Sequence, residues 1–398
     1  MTDNLGSLFL LDPGVTFLNH GSYGACPRPV FEAYQAWQTR LERQPVAFLD
    51  PSRGLSGWMR DARMAMAGEL GVDADSIVGL TNATEGLNIV AQSLTLHPGD
   101  EILTTDHEYA ALDKTWAYVA RRSGAIMVPV TIPLPLTDAQ AFTDALVAAI
   151  TPRTKVLFLS HITSATALVF PIAPIVAEAR ARGILTVIDG AHTPGHIPLD
   201  LAALDADYYA GNCHKWLMAP KGSAFLYVRP ELQSGINPLV ISHGWTPDAA
   251  APGTVGVFGN TPFIDGLEMQ GTRDPSAWLT VPDAIAFRTQ HDWPTVAAQC
   301  RLLAQETATR VAALTGLPAL SSPEFCAPQM VAMPVPACDP MALKTALLDD
   351  YGIEIPCYTW NDRTIVRVSV QGYNTARQMD HLIDALATLL PQMHRSAS

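Results

Sequence analysis

The sequence predicts an α/β protein with a mainly parallel central sheet flanked by helices, followed by a smaller α+β unit. Two observations predict it. Between about residues 75 and 230, short apolar runs alternate with amphipathic stretches at regular spacing, the pattern of strands buried on both faces and joined by crossover helices. Beyond residue 281 the pattern changes to long helices with isolated strand-like runs. A chain of 398 residues, 48% of them apolar, is long enough for two units around a large core.

The expected strands are Ile77 to Leu80, Glu101 to Thr104, Ile126 to Val130, Val156 to Ser160, Leu185 to Ile188, Asp207 to Ala210 and Ala224 to Val228. Between most of them the periodicity predicts helices: Thr84 to Leu94, Tyr109 to Ser123, Ala139 to Ile150 and Ile172 to Arg182. Residues 231 to 275 are rich in Gly and Pro and read as a long excursion from the sheet. Helices follow at Pro282 to Gln290 and Thr295 to Leu314. The last third adds strand-like Gln329 to Met333 and Thr364 to Ser369, with helices at Pro340 to Tyr351 and Thr375 to Met393. The organisation expected is an N-terminal arm (1–14), a large domain (15–280) and a small C-terminal domain (281–398).

Charge and cysteine usage exclude several functions. A net charge of −13 argues against nucleic acid or an anionic membrane surface as partner, since both need a basic face. No uncharged apolar run is long enough to span a bilayer. The six cysteines are scattered, without a Cys-x-x-Cys pair or a partnered His spacing, so no metal site or disulfide framework is expected. The first eleven residues lack a basic segment leading into an apolar run. These features point to a cytoplasmic enzyme. Dinucleotide, P-loop and zincin motifs are absent.

In parallel α/β sheets ligands gather at the carboxyl ends of the strands. The stretch from Asp207 to Val228 is the most informative. A strand ends near Ala210, and Asn212, His214 and Lys215 follow at once. A lysine there can form an imine with an aldehyde cofactor if its pKa is lowered; the plainer alternative is a solvated surface lysine. Lys221, beside Pro220 and Gly222, reads as structural. Asp189 terminates an apolar strand, where a carboxylate is costly unless paired, and a protonated pyridine nitrogen would pair with it. The alternative is a helix cap or a turn. His192, on the same turn, can donate to a phenolate oxygen or be a satisfied structural histidine. The run from Ile77 to Gly86 reads as strand, turn and helix, with Ala83 and Thr84 placed to hold a phosphate at the helix start. A plain cap by Thr81 or Asn82 explains the same residues. His107, Glu108 and Tyr109 follow another strand, where a planar side chain can stack on a pyridine ring; an ordinary polar loop is the alternative. Ser160 to Ser164 can reach a ring oxygen.

Together these motifs resemble the class V aminotransferases, the fold-type-I enzymes that use pyridoxal 5′-phosphate (PLP). The carrying residues are Phe17 to Gly24, Asp106 to Tyr109, Asp189 to His192, Gly211 to Trp216 and Arg367 to Asn374, in the expected order over nearly the whole chain. Within the family they look most like isopenicillin N epimerase-like proteins. The resemblance implies that Lys215 carries PLP as a Schiff base and shuttles a proton at Cα. Asp189 would pair with the pyridinium, His192 and Ser164 lie near the ring oxygen, and His107 stack on the ring. Ala83, Thr84, Asn212 and His214 would line the phosphate pocket. Arg367 would pair bidentately with the carboxylate of an amino-acid substrate, which Asn19 and Tyr23 would approach from the N-terminal segment. The stretch Gly271 to Asp274 matches a loop that reaches the partner's phosphate, so Thr272 implies a homodimer with shared active sites. Two positions depart from the pattern: Cys213 where an apolar residue is expected, and Ala167 where many relatives have glycine.

Three reactions compete on this scaffold: epimerisation at Cα, β-elimination or C–S cleavage, and transamination. A fourth possibility is a non-catalytic binding relative, which predicts loss of Lys215, Asp189 or Arg367; all three are present. A desulfurase needs a mobile cysteine nucleophile, whereas Cys357 lies on a short strand-like stretch and reads as a small buried residue. The resemblance favours the epimerase, with the lyase as runner-up. The second acid of an epimerase is not legible; Tyr23, His243 and Cys357 are the candidates.

Overall fold

The computed structural model describes residues 5–247, 251 and 253–396. A two-residue strand, β1 (Thr16–Phe17), precedes the main sheet. That sheet contains β2 (Ile77–Leu80), β3 (Glu101–Thr105), β4 (Ile126–Val130), β5 (Thr154–Ser160), β6 (Leu185–Asp189), β7 (Tyr208–Asn212) and β8 (Ala224–Val228), in the order β2-β8-β7-β6-β5-β3-β4. Only β8 runs against its neighbours; the other pairings are parallel. The central strands are buried almost throughout, as in the near-continuous apolar run of β5. The edge strand β4 is part-exposed and tolerates Pro129 for that reason.

Caps set where the crossover helices begin. Asn82 Oδ1 accepts the Glu85 amide at 2.8 Å ahead of helix Ala83–Ser93, and Asp138 Oδ1 accepts the Gln140 amide ahead of Ala139–Ala149. Two helices, Arg28–Arg43 and Ser56–Leu70, lie outside the sequence expectations and pack on helix Val281–Gln290. The 231–275 excursion is not wholly irregular: helix Pro262–Glu268, capped by Thr261, packs on β2.

The C-terminal unit is an antiparallel sheet of β9 (Met330–Val335), β11 (Cys357–Trp360) and β12 (Arg363–Ser369), with β12 central. Helices Pro340–Tyr351 and Ala376–Ser396 accompany it. Between them the short β10 (Ile353–Glu354) pairs in parallel with β1. The amide of Leu18 donates to Glu354 O and that of Ser369 to Leu18 O, both at 2.9 Å. The start of the chain is therefore stitched to the C-terminal unit, which brings residues 19–24 to the end of the main sheet.

Among the described residues, no helix is long and apolar enough to cross a membrane, and no cluster of His, Cys, Asp or Glu is arranged to hold a metal ion.

Candidate active site

The carboxyl ends of β5, β6 and β7, with the start of helix Ala83–Ser93, enclose a cavity of about 170 Å³. Lys215 enters it three residues beyond β7. Its Nζ lies 3.1 Å from His192 Nε2. Burial lowers the Lys215 amine to about 7; Asp189 pulls the other way, and Arg367 adds to the lowering. Asp189 ends β6 and is only 4% exposed. Burial raises its carboxyl, against the Ala191 amide at 2.8 Å and the charge of Lys215. Asn212 Oδ1 accepts the Ala83 amide at 2.8 Å and so pins the helix start to β7. With the Glu85 amide taken by Asn82, Thr84 between them keeps an amide with no partner inside the helix. His214 lines the same corner, its Nδ1 3.1 Å from Ser223 O; burial, then Lys215, hold it at about 4.

The opposite wall comes from the N-terminal segment and β12. Arg367 is 5% exposed and sits directly behind Ser22 and Ser164, which line the cavity. Its Nη1 donates to Ser164 O and, at 3.3 Å, to Ser164 Oγ; its Nη2 donates to Ser22 Oγ at 3.1 Å. Ser22 donates in turn to Asn19 Oδ1, and Asn19 Nδ2 donates to Glu354 Oε1 at 3.2 Å. Arg367 Nε is buried with no hydrogen-bond partner, a costly arrangement for a donor on a cation. Gly24, at φ +69°, lets the segment pass the lysine loop: a Cβ there would meet His214 O at 2.0 Å.

The structure brings Ala83, Thr84, Ser164, Asp189, His192, Asn212, His214, Lys215 and Tyr23 to one cavity. Arg367 and Asn19 stand one layer behind it. Nε is the one unused position of this guanidinium, and Nη2 has a second N–H beside the one given to Ser22, so the Nε–Nη2 edge can offer two donors to a carboxylate. His107 is not brought to the cavity. Its side chain turns inward, with Nδ1 2.7 Å from Thr166 Oγ1 and its ring 4.4 Å from that of Trp360, and burial holds it at about 4. Tyr109, two residues on and 45% exposed, lines the cavity instead. The expectation that His107 stacks on the ring is corrected accordingly. The turn after β3 is anchored by Glu108, which accepts from Ser160 N, Ser160 Oγ and Thr105 Oγ1, and this anchoring sends His107 behind the wall. Thr272 lines a separate cavity of about 340 Å³ with His243 and Arg273, so it does not meet Lys215 of its own chain. Ser22, Ser160 and Tyr109 also line the Lys215 cavity; Ser160 and Tyr109 belong to strand-end stretches that the sequence already singled out, and Ser22 to the N-terminal segment expected near the substrate.

Cys357 lies on β11, buried, with its thiol pushed up to about 12 by burial. Cys213 is buried against Met66, with the sulfurs 3.9 Å apart. Ala167 holds φ at 53° in a buried position, the left-handed conformation that glycine adopts without strain.

The family model for class-V aminotransferases matches residues 25–382. The chain belongs to the class-V aminotransferase family. The isopenicillin N epimerase of Amycolatopsis lactamdurans is 39% identical over 385 residues, covering 95% of this chain and 96% of that protein. A putative L-cysteine desulfhydrase of Oryza sativa subsp. japonica is 30% identical, covering 95% and 84%. Among solved structures, the cysteine desulfurase CsdA of Escherichia coli superposes with a TM-score of 0.80 at 24% identity, covering 98% of each chain; that likeness concerns the fold. The family's cofactor is pyridoxal 5′-phosphate. The residues fit it. Among the described residues Asp189 is in no ion pair, so a buried carboxylate faces the cavity with room for a pyridinium. The Ala83–Thr84 helix start with Asn212 and His214 suits a phosphate, and the lowered Lys215 amine suits a carbonyl carbon.

Proposed function

We propose that the protein is an amino-acid epimerase that holds PLP covalently through Lys215 Nζ and works as a cytoplasmic homodimer with shared active sites. The observation that carries the reading is the Lys215 amine in a small cavity with Arg367 directly behind the opposite wall, its buried Nε without a partner. One is a base for a Cα proton, the other a donor for an α-carboxylate. The epimerase relative named above supports the choice of reaction. PLP, when bound, supplies the electron sink that makes the Cα proton acidic.

The chain's own residues do the rest. Lys215 takes and returns the proton on one face of Cα. Asp189 would face the ring nitrogen, His192 and Ser164 would serve the ring oxygen, and Tyr109, which lines the cavity where His107 does not, would cover the ring. Ala83, Thr84, Asn212 and His214 hold the phosphate, with Thr272 of a second copy reaching in. Arg367 binds the carboxylate, with Asn19 setting Ser22 beside it. Of the three candidates for the second acid, Tyr23 alone lines this cavity; its hydroxyl would serve the other face. The six free cysteines suit a reducing compartment.

The runner-up is a β-eliminating C–S lyase, favoured by the rice relative. The desulfurase version is weakened by Cys357, because a buried thiol held near 12 carries almost no thiolate at neutral pH. Transamination and pure ligand binding rank below, the latter because Lys215, Asp189 and Arg367 are all retained. The test is incubation of the PLP-loaded protein in D₂O with L-amino acids and cysteine conjugates. Chirality, α-deuterium and 2-oxo acid are followed together. Deuterated product of inverted configuration without oxo acid is expected; pyruvate with a released thiol or ammonia would replace the epimerase by the lyase. Sedimentation of the same sample checks the dimer.

A further inference from the structure

We infer that Trp216 is a positioning residue that locks His192 into the tautomer with its proton on Nε2, aimed at Lys215. The inference rests on the reading of Lys215 as the cofactor lysine and adds the residue that sets its hydrogen-bond environment.

The argument is one of donors and acceptors. Trp216 is fully buried, and its Nε1 lies 3.3 Å from His192 Nδ1. An indole N–H can only donate. His192 Nδ1 must therefore offer a lone pair, and the neutral ring carries its proton on Nε2. That nitrogen is 3.1 Å from Lys215 Nζ, so the amine must be the acceptor, and only an uncharged amine has the lone pair to accept. A doubly protonated His192 is disfavoured. It is buried, and the permanent charge of Arg367 opposes a second positive charge there. The one opposing group is Asp189, which faces Lys215 and favours its ammonium form.

The lock is itself held in place. The His196 ring stacks on the Trp216 indole, with centroids 3.9 Å apart and planes 20° apart. His196 has a single neutral tautomer available. Its Nε2 accepts the Gln329 amide at 3.0 Å, and its Nδ1 donates to His192 O at 3.1 Å. Gln329 directly precedes β9, so the C-terminal unit braces the indole. His20 braces the lysine loop from the other side, its ring 5.0 Å from that of Trp216 and its Nε2 3.0 Å from Lys215 O. None of these groups needs to touch substrate or cofactor. Their common effect is that Lys215 meets a donor, which favours its free amine, where the other tautomer would present a lone pair and favour the ammonium.

Trp216→Phe removes the N–H and keeps an aromatic ring against His196. Freed of its donor, His192 can move its proton to Nδ1 and accept from Lys215. In the full-length cofactor-free chain, acylation of Lys215 by acetic anhydride is followed by peptide mass analysis against pH, with exposed Lys114 as reference. The midpoint is expected to rise by about one pH unit in Trp216→Phe, a roughly fivefold loss of reactive amine at pH 7. An unchanged midpoint in a variant with wild-type far-UV circular dichroism overturns the inference. Should the variant not fold, ¹⁵N spectra of the histidine rings in the wild-type chain decide instead. Protonated Nε2 with bare Nδ1 at His192 supports the lock, and the opposite pattern overturns it. Failure of the underlying reading has a separate signature: Lys215→Ala would keep the visible absorption band of bound PLP, whatever the tautomer of His192.

Discussion

On one side of the cavity Asp189, Asn212 and Lys215 sit on or just after strands of the seven-stranded sheet, while on the other Ser22, Tyr23 and Arg367 come from an N-terminal segment and a three-stranded sheet. The first wall is held by parallel ladders that run through the core. The second is mixed: Arg367 is held by the ladders of β12 to β9 and β11, while the N-terminal segment is tied to it by side-chain contacts, from Asn19 through Ser22, and by the two-residue pairing of β1 with β10. The difference divides the labour. Groups proposed to hold the cofactor stand on the stiffer wall of continuous ladders, and the groups proposed to meet substrate stand partly on the more lightly tied, more compliant N-terminal segment. Charge crosses between them, because Arg367 contributes to the lowering of Lys215.

If that division is right, substitutions on the two walls fail differently. Lys215→Ala is the largest expected effect. It should remove the visible band of bound PLP and lower kcat by roughly 10⁴-fold, the upper range for loss of a positioned acid–base group. Arg367→Lys should leave the band and the cofactor content intact while lowering kcat/KM by roughly 10²-fold, the cost of about 3 kcal/mol expected when a buried charge loses its hydrogen-bonded partner. Spectra and kinetics on the same preparations separate the two. Loss of the band in Arg367→Lys would erase the distinction between the walls.

Tyr109 and His107 give a finer test, since the pair divides one short turn between cavity and interior. Tyr109→Ala should weaken PLP retention by about tenfold, in line with a lost aromatic contact. His107→Ala should leave PLP retention unchanged and lower the melting temperature instead, because the ring fills space between Phe170 and Trp360. Dialysis against buffer with absorbance readings, beside thermal melts, distinguishes them.

The lowered Lys215 amine predicts a pH signature of the cofactor-free protein. Its folded value of about 7 lies below the ordinary 10.5. Between these pH values the unfolded chain binds the additional proton. Stability from this group therefore rises with pH across that window and falls as the solution is acidified toward 7. Below about 7 both forms carry the proton and the slope vanishes. Lys215→Met should remove this slope from a series of melts, and Arg367→Gln should move its lower edge upward by less than one unit, since Arg367 is only the secondary cause of the lowering. An Arg367→Gln profile identical to wild type would mean that the walls do not communicate through charge.

The stiff wall is also the legible one. Most strands of the main sheet follow from a short apolar run closed by polar residues, as Leu185 to Asp189 and Tyr208 to Asn212 illustrate. A strand end fixes where the next side chains point, so Asp189, Asn212 and Lys215 could be gathered from sequence. The compliant wall depends on pairings distant in sequence. Nothing near Asn19 announces Glu354, and nothing near Ser22 announces Arg367, residues more than three hundred positions away. His107 was misplaced for a related reason. The burial of a turn residue depends on Glu108 gripping Ser160 from another strand, which no local pattern encodes. Helices Arg28–Arg43 and Ser56–Leu70 lie ahead of the strand–helix alternation that makes the sheet legible.

Cys357 should give the smallest effect, and it bears on which chemistry the compliant wall supports. It lies ten residues before Arg367, where a thiol on a mobile loop could swing toward the cavity. Instead it is a strand residue paired with Val366, 5% exposed, its Sγ 4.0 Å from Ile355 O. With the thiol held at about 12, the thiolate fraction at pH 7 is on the order of 10⁻⁵. Cys357→Ala should therefore change turnover of any amino-acid substrate by less than about twofold and cost about 1 kcal/mol in denaturant melts, the scale of a small buried truncation. Iodoacetamide should label Cys357 only on unfolding. Loss of turnover in Cys357→Ala with stability preserved, together with sulfur captured on Cys357 after exposure to cysteine, would place a nucleophile on the wall now assigned to carboxylate recognition, and the desulfurase chemistry would have to displace epimerisation.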